Sequence, residues 1–159
     1  MIQQAFVELA EAVARGAHAG QVDKSGADYI THPARVAERV RRHGGTDEAV
    51  AAAWLHDVLE DCDVSAADLA AAGIPDTVID AVRAVTKIDG EAPEDYCARV
   101  LANPTALRVK RADIDDNTDP ARTMLLPEAT RQRLAAKYAR TRHLLGLDAG
   151  TGTDAGTGQ

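Results

Sequence analysis

At 159 residues, with two cysteines and 3% aromatic side chains, the chain is long enough for one self-sufficient core and has too few thiols for a disulfide scaffold. Its formal charge of −7, from 25 acidic against 18 basic residues, argues against a nucleic-acid polymer as partner and leaves room for a small phosphorylated molecule held by local charge. No apolar stretch reaches bilayer length, and the amino terminus carries Glu8 and Glu11 inside its apolar pattern with no basic lead, so neither a membrane span nor a signal peptide is expected. A cytoplasmic protein with reduced thiols at Cys62 and Cys97 follows; the oligomeric state stays open.

Ala, Val and Leu carry the apolar share, which favours helices, and no segment alternates like a strand. The expected fold is an all-α bundle forming a single compact domain over residues 1–147. A first helix sets Phe6, Leu9, Ala10, Val13 and Ala17 on one face and runs out at Gly20. A polar turn over residues 20–26 follows. The second helix starts near His32 and Pro33, with Thr31 or His32 as its cap, buries Val36, Ala37 and Val40, and ends at Gly44 and Gly45. Thr46 caps a third helix, with Asp47 and Glu48 favourably placed in its first turn, and the helix continues through AVAAAWLHDVLED. Ser65 caps a short helix ending at Gly73, and Pro75 opens one bearing Val78, Ile79, Val82 and Val85. Pro93 and Pro104 start two more. A last amphipathic helix over residues 128–147 uses Leu134, Tyr138, Leu144 and Leu145. Residues 148–159 form a Gly/Thr-rich tail expected to be disordered.

The third helix carries the chemistry. Residues 49–55 are apolar around most of the circumference, so the segment reads as a buried central helix, and into it come His56, Asp57, Glu60 and Asp61. His56 with Glu60, and Asp57 with Asp61, are i,i+4 pairs, which puts all four on one broad face. Burying several ionisable groups together costs several kcal/mol unless something compensates, and a divalent cation does so for a carboxylate–imidazole set. By itself the cluster reads either as such a site or as the solvated polar end of the helix. Asp113 and Asn117, again i,i+4, close a helix holding Leu107, Val109 and Ala112; an acidic helix end is dipole-unfavourable and therefore needs a reason. His32 alone reads as a cap or as a ligand. Arg108, Lys110 and Arg111 read as a solvated face or as a source of phosphate contacts. His18 reads as a support for the first loop, Trp54 as core.

Taken in order, His, His-Asp and Asp on three separate helices form a series. The runs Ala17-His18-Ala19-Gly20-Gln21, Lys24-Ser25-Gly26, Tyr29-Ile30-Thr31-His32-Pro33, Leu55-His56-Asp57-Val58-Leu59-Glu60-Asp61, Thr86-Lys87 and Lys110 through Asn117 resemble the RelA/SpoT-type alarmone hydrolase domain of the HD superfamily, over nearly the whole chain up to residue 147. The resemblance implies an HD-domain helical bundle, with a divalent metal, manganese, held by His32, His56, Asp57 and Asp113. It implies Glu60 and Asp61 as the pair that activates the attacking water, and Lys24, Ser25, Lys110 and Asn117 as substrate contacts. The reaction it implies is hydrolysis of the 3′-pyrophosphate of (p)ppGpp to GDP or GTP and pyrophosphate. Elementary chemistry agrees, since a metal neutralises phosphoryl oxygens and lowers the pKa of water while a nearby carboxylate takes the proton. The chain departs from the pattern in three places: Asp23 stands where the family has an arginine, Ile114-Asp115-Asp116 stand where it has Arg-Leu-His, and the Gly/Thr tail has no counterpart. Reversed charge at Asp23 is expected to weaken alarmone binding, so that restoring arginine there lowers KM. The alternatives are an HD phosphohydrolase for another nucleotide, a nucleoside monophosphate or 3′-phosphorylated nucleotide, and a non-catalytic nucleotide sensor.

Overall fold

The computed structural model describes residues 2–147, so the expected tail at 148–159 lies outside the described residues. Ten helices follow in chain order: α1 (Ile2–Ala17), α2 (Thr31–Arg42), α3 (Asp47–Leu55), α4 (Val58–Asp61), α5 (Ala66–Ala72), α6 (Asp76–Ala84), α7 (Pro93–Leu101), α8 (Pro104–Asn117), α9 (Pro120–Thr123) and α10 (Glu128–Leu144). Among the described residues there is no named strand, only an isolated bridge between Val22 and Asp28. None of the helices is long and apolar enough to cross a membrane.

α3 is the axis of the bundle. Every residue of Ala49 through Leu55 is buried, and α1, α2, α6 and α8 pack around it. Four alanines in that run keep the circumference small, which lets four neighbours approach one helix. Thr46 accepts from the Ala49 amide as its cap, as expected. On α1 the deepest stripe is Val7, Ala10 and Ala14, with Phe6, Leu9, Val13 and Ala17 flanking it, a shift of the apolar face relative to the sequence reading.

Ser65 forms a capping box with Asp68, and Gly73 closes α5 in the left-handed region, where a side chain would be strained. Pro93 and Pro104 open α7 and α8, and Asn103 caps α8 by accepting from the Ala106 amide.

Three expectations are corrected. The third helix does not run unbroken through Asp61; it breaks at His56 and Asp57 and resumes as α4. The His56 ring donates through Nδ1 to the Ala53 carbonyl at 2.7 Å, occupying the acceptor that the Asp57 amide would use to continue the helix. Neither Thr31 nor His32 caps α2. Ile30 holds the cap position without a side-chain bond, while Thr31 Oγ1 donates to the Asp28 carbonyl at 2.8 Å and the His32 ring turns inward. Finally, α10 is not strongly amphipathic. None of its residues is buried; Leu134 and Tyr138 are half-buried on the side facing a cavity, and Leu145 just beyond it supplies the anchor.

Candidate active site

The three elements that meet at α3's carboxyl end bring their polar side chains together. His32 comes from the first turn of α2, His56 from the break after α3, and Asp113 from the last turn of α8. His32 Nε2 lies 2.8 Å from Asp113 Oδ1, and His56 Nε2 lies 3.2 Å from the same oxygen. One donor atom from each of the three falls within 4.8 Å of the others, and all three side chains are buried. Asp57 Oδ2 stands 3.1 Å from His56 Nε2 and 3.9 Å from His32 Nε2.

The outward nitrogens decide what this arrangement can hold. A carbonyl only accepts, so His56 Nδ1 carries the proton that it gives to Ala53, and Nε2 of the neutral ring is a bare lone pair. His32 repeats the pattern, with Nδ1 2.7 Å from Asp116 Oδ2 and Nε2 turned toward Asp113. Two lone pairs facing carboxylate oxygens are stable only with positive charge between them, supplied by extra protons or by a cation. Burial disfavours a charged His56, yet Asp57 and Asp113 reverse that and raise its pKa well above the usual value. Against its burial, Asp113 is held well below the usual carboxylate range by Lys110, His32 and His56. Two imidazole nitrogens with one or two carboxylates fit a divalent first-row metal.

Around this cluster, Lys110 Nζ is 3.0 Å from Asp113 Oδ2, and Asn117 Nδ2 donates to Asp113 Oδ1 at 3.1 Å. Both residues line the cavity, and both also hold the Asp113 carboxylate. Glu60 Oε1 accepts from the Lys87 amide at 3.2 Å. Asp61 has a raised pKa through desolvation and the charges of Asp57 and Glu60. Despite the helix break, Glu60 and Asp61 line the same cavity as His56 and Asp57.

The cavity measures about 460 Å³, a size that suits a nucleotide. Its floor is the histidine–aspartate cluster; its walls are the loop after α1 and the Leu134–Tyr138 side of α10. The loop is shaped by Asp23, whose Oδ1 accepts from the Ser25 amide (2.9 Å), the Ser25 hydroxyl (2.8 Å) and the Ala27 amide (3.0 Å). Its other oxygen lies 3.7 Å from Arg122 Nη2. Asp23 is thus an organiser of the loop, paired with a cation. Ser25 gives its hydroxyl proton to Asp23, whereas Lys24 lines the cavity and, among the described residues, makes no ion pair. His18 serves the loop as expected, with Nδ1 2.8 Å from Gln21 Oε1 and 3.4 Å from Cys62 Sγ.

Two residues escaped the sequence reading. Asp116 is fully buried; besides His32 it meets Arg35 Nε at 2.9 Å, Arg122 Nη1 at 3.0 Å and Arg39 Nε at 3.5 Å. Against its burial, His32 and Arg35 lower its pKa to about 2. Arg35 and Arg39 share one face of α2 with His32 and, as partly buried cations, call for an acid, but nothing along the chain says which acid meets them. Tyr29 donates its hydroxyl to Asp57 Oδ2, and burial with the Asp57 charge pushes its pKa far up, which keeps it a donor.

Residues 10–145 match the HD domain family. The chain is 38% identical over 149 residues to a guanosine-3′,5′-bis(diphosphate) 3′-pyrophosphohydrolase of Vibrio cholerae, covering 85% of this chain and 21% of the relative. A protein of the same name from Haemophilus influenzae is 34% identical, with 86% and 22% covered. The chain therefore spans about a fifth of the length of these curated relatives. A solved structure described as a metazoan ortholog of SpoT that hydrolyzes ppGpp superposes with a TM-score of 0.68 at 24% identity, covering 91% of this chain and 88% of that one, and shows the shared fold. With most of its described length matched and the His-Asp pair at the heart of its buried polar cluster, the chain belongs to the HD domain family.

Proposed function

We propose that the chain is a metal-dependent phosphohydrolase that removes the 3′-pyrophosphate of (p)ppGpp, releasing GDP or GTP and pyrophosphate. Membership of the HD domain family implies a divalent metal. The observation that carries the reading is the pair of buried imidazoles with Nδ1 fixed outward and Nε2 aimed at Asp113, on the floor of a nucleotide-sized cavity. Relatives named for this activity support the substrate.

In this reading His32, His56, Asp57 and Asp113 hold the metal, and manganese is the candidate ion. When bound, that metal supplies a Lewis acid for the phosphoryl oxygens and lowers the pKa of water. The remaining work falls to the chain. Water adds to the phosphorus attached to the 3′-oxygen, the bond between that phosphorus and the 3′-oxygen breaks, and the 3′-oxygen takes up the proton that the water gives up, becoming the ribose hydroxyl as pyrophosphate leaves. Asp61, whose raised pKa suits proton exchange, accepts the water's proton, and Glu60, anchored on the Lys87 amide, holds the water in line. Lys110 keeps its ammonium against Asp113 beside the reacting phosphate, Asn117 steadies the same carboxylate, and Lys24 and Ser25 meet the nucleotide from the loop.

A second reading, another nucleotide as substrate, is favoured by one observation: Asp23, on the cavity wall, stands where the resembled family has an arginine, whereas Ile114 is buried in the core and does not line the cavity. The test is turnover of ppGpp, pppGpp, nucleoside monophosphates and other 3′-phosphorylated nucleotides with Mn²⁺, products resolved by chromatography. GDP or GTP with pyrophosphate, abolished by EDTA and restored by Mn²⁺, is the expected result. Release from a different nucleotide transfers the assignment to the second reading. Nucleotide binding without turnover identifies a sensor.

A further inference from the structure

The chain has four lysines, Lys24, Lys87, Lys110 and Lys137, and all four line the one cavity. They come from four separate places: the loop after α1, the loop after α6, α8 and α10. Of the fourteen remaining basic residues, all arginines, only Arg122 reaches the cavity wall. That partition opposes the chain's charge. The cavity walls carry five carboxylates against five cations and are neutral, whereas the whole chain is −7. A divalent ion on the histidine cluster turns the cavity positive.

The lysines divide by partner. Lys110 is tied to Asp113, on the metal side. Among the described residues no ion pair involves Lys24, Lys87 or Lys137, and the cavity carboxylates other than Asp61 are engaged elsewhere: Asp57 by Tyr29 and His56, Asp113 by both histidines, Lys110 and Asn117, Asp23 by Ser25, Ala27 and Arg122, and Glu60 by the Lys87 amide. Lys87 and Lys110 sit 5.8 and 5.5 Å from the Tyr96 ring centre, and Lys137 5.2 Å from that of Tyr138, so aromatic faces hold the ammoniums at the wall. Lys137 is exposed over much of its length, yet partial desolvation, then Lys87, Lys110 and Lys24, hold its pKa below the usual lysine value. Ammoniums that repel one another without carboxylate partners are relieved by an anionic ligand. One phosphoryl group held by the metal, Lys110 and Arg122 leaves the other three lysines uncompensated.

We infer that Lys137, with Lys24 and Lys87, forms a seat for a second phosphate group, one that is not hydrolysed, and that Lys137 selects nucleotides phosphorylated at two positions. Flexible, hydrated lysines suit a phosphate whose orientation is not fixed, unlike the forked geometry an arginine imposes. The inference rests on the phosphohydrolase reading only for which phosphate is cleaved; the seat itself is a binding property.

The test uses Lys137→Met, which keeps the apolar stem, and Lys137→Arg, which restores the charge. Calorimetric titration of the full chain with GDP, ADP and guanosine reads the seat without turnover. The wild type is expected to prefer the diphosphates over guanosine by about tenfold or more, as one charge-assisted contact allows. Lys137→Met brings that preference to within about threefold, and Lys137→Arg restores it. With ppGpp as substrate, Lys137→Met raises KM by far more than it changes kcat. Diphosphate binding unaltered in Lys137→Met, or a wild type that does not distinguish GDP or ADP from guanosine, overturns the seat even if ppGpp is hydrolysed. Loss of the preference in Lys137→Met, together with no ppGpp hydrolysis by any form, keeps the seat and overturns the alarmone assignment instead.

Discussion

On the side of the cavity proposed to hold the metal, each side chain is fixed from behind. Asp116 holds His32, the Ala53 carbonyl holds His56, Tyr29 holds Asp57, and Lys110 with Asn117 hold Asp113. Elsewhere on the cavity walls, Lys24, Lys87 and Lys137 have long stems and, among the described residues, no ion pair. The two regions answer different demands. Coordination tolerates deviations of only about 0.2 Å, so its donors are preset by packing. A phosphorylated ligand brings its own flexible charges, so long-stemmed lysines that can follow it serve where forked, fixed cations would only add repulsion.

The comparison breaks most visibly at Glu60 and Asp61, which border both regions. Glu60→Gln and Asp61→Asn should lower kcat by about 10²–10⁴-fold while metal content, read by elemental analysis, stays near that of the wild type. Loss of metal would move the pair into the rigid side. The pH profile sharpens the point. A protonated carboxyl cannot take the water's proton, so activity falls as pH drops through the Asp61 pKa. Desolvation, Asp57 and Glu60 raise that pKa, so the acid limb of kcat/KM lies above the pH of an ordinary aspartate, and Asp61→Asn removes it.

An intermediate effect is expected behind the proposed metal site. Asp116→Asn retains an acceptor for His32 Nδ1 but loses the charge that faces Arg35, Arg39 and Arg122. Metal affinity, measured by competition with a chelator, should weaken about 10–100-fold, the usual cost of disturbing an outer partner of a ligand. Unchanged affinity with a lowered melting temperature would make Asp116 part of the scaffold alone.

The smallest effect distinguishes charge from geometry. Charge alone says that arginine at position 23 tightens binding. The structure says otherwise, since Asp23→Arg removes three loop hydrogen bonds and sets a cation against Arg122. The expected outcome is a KM for ppGpp raised by roughly fivefold, in line with about 1 kcal/mol for a disturbed hydrogen-bonded loop. A lowered KM would show that net charge outweighs loop order on this wall.

Much of this was legible along the chain, because periodicity and caps are local. Thr46, Ser65, Gly73, Pro75, Pro93 and Pro104 each mark a boundary found in the fold, and the alanine-rich run before His56 announces a helix buried on all sides. The grouping of His32, His56 and Asp113 was implied by the resemblance to alarmone hydrolases, while by residue type alone each kept a second reading as a cap or a solvated helix end. The break at His56 was not legible, because it depends on a side chain competing with the backbone for the Ala53 carbonyl, and either outcome is compatible with the same residues. Nor was Asp116, hidden in an acidic run until α2 placed Arg35 and Arg39 against it from 81 and 77 positions away. The sequence by itself determined where most helices begin and end and which residues are chemically capable; only the tertiary structure decided where α3 breaks and which of those residues share an environment. Hydrogen bonding and charge act over a few ångströms of space, and distance along the chain says nothing of that.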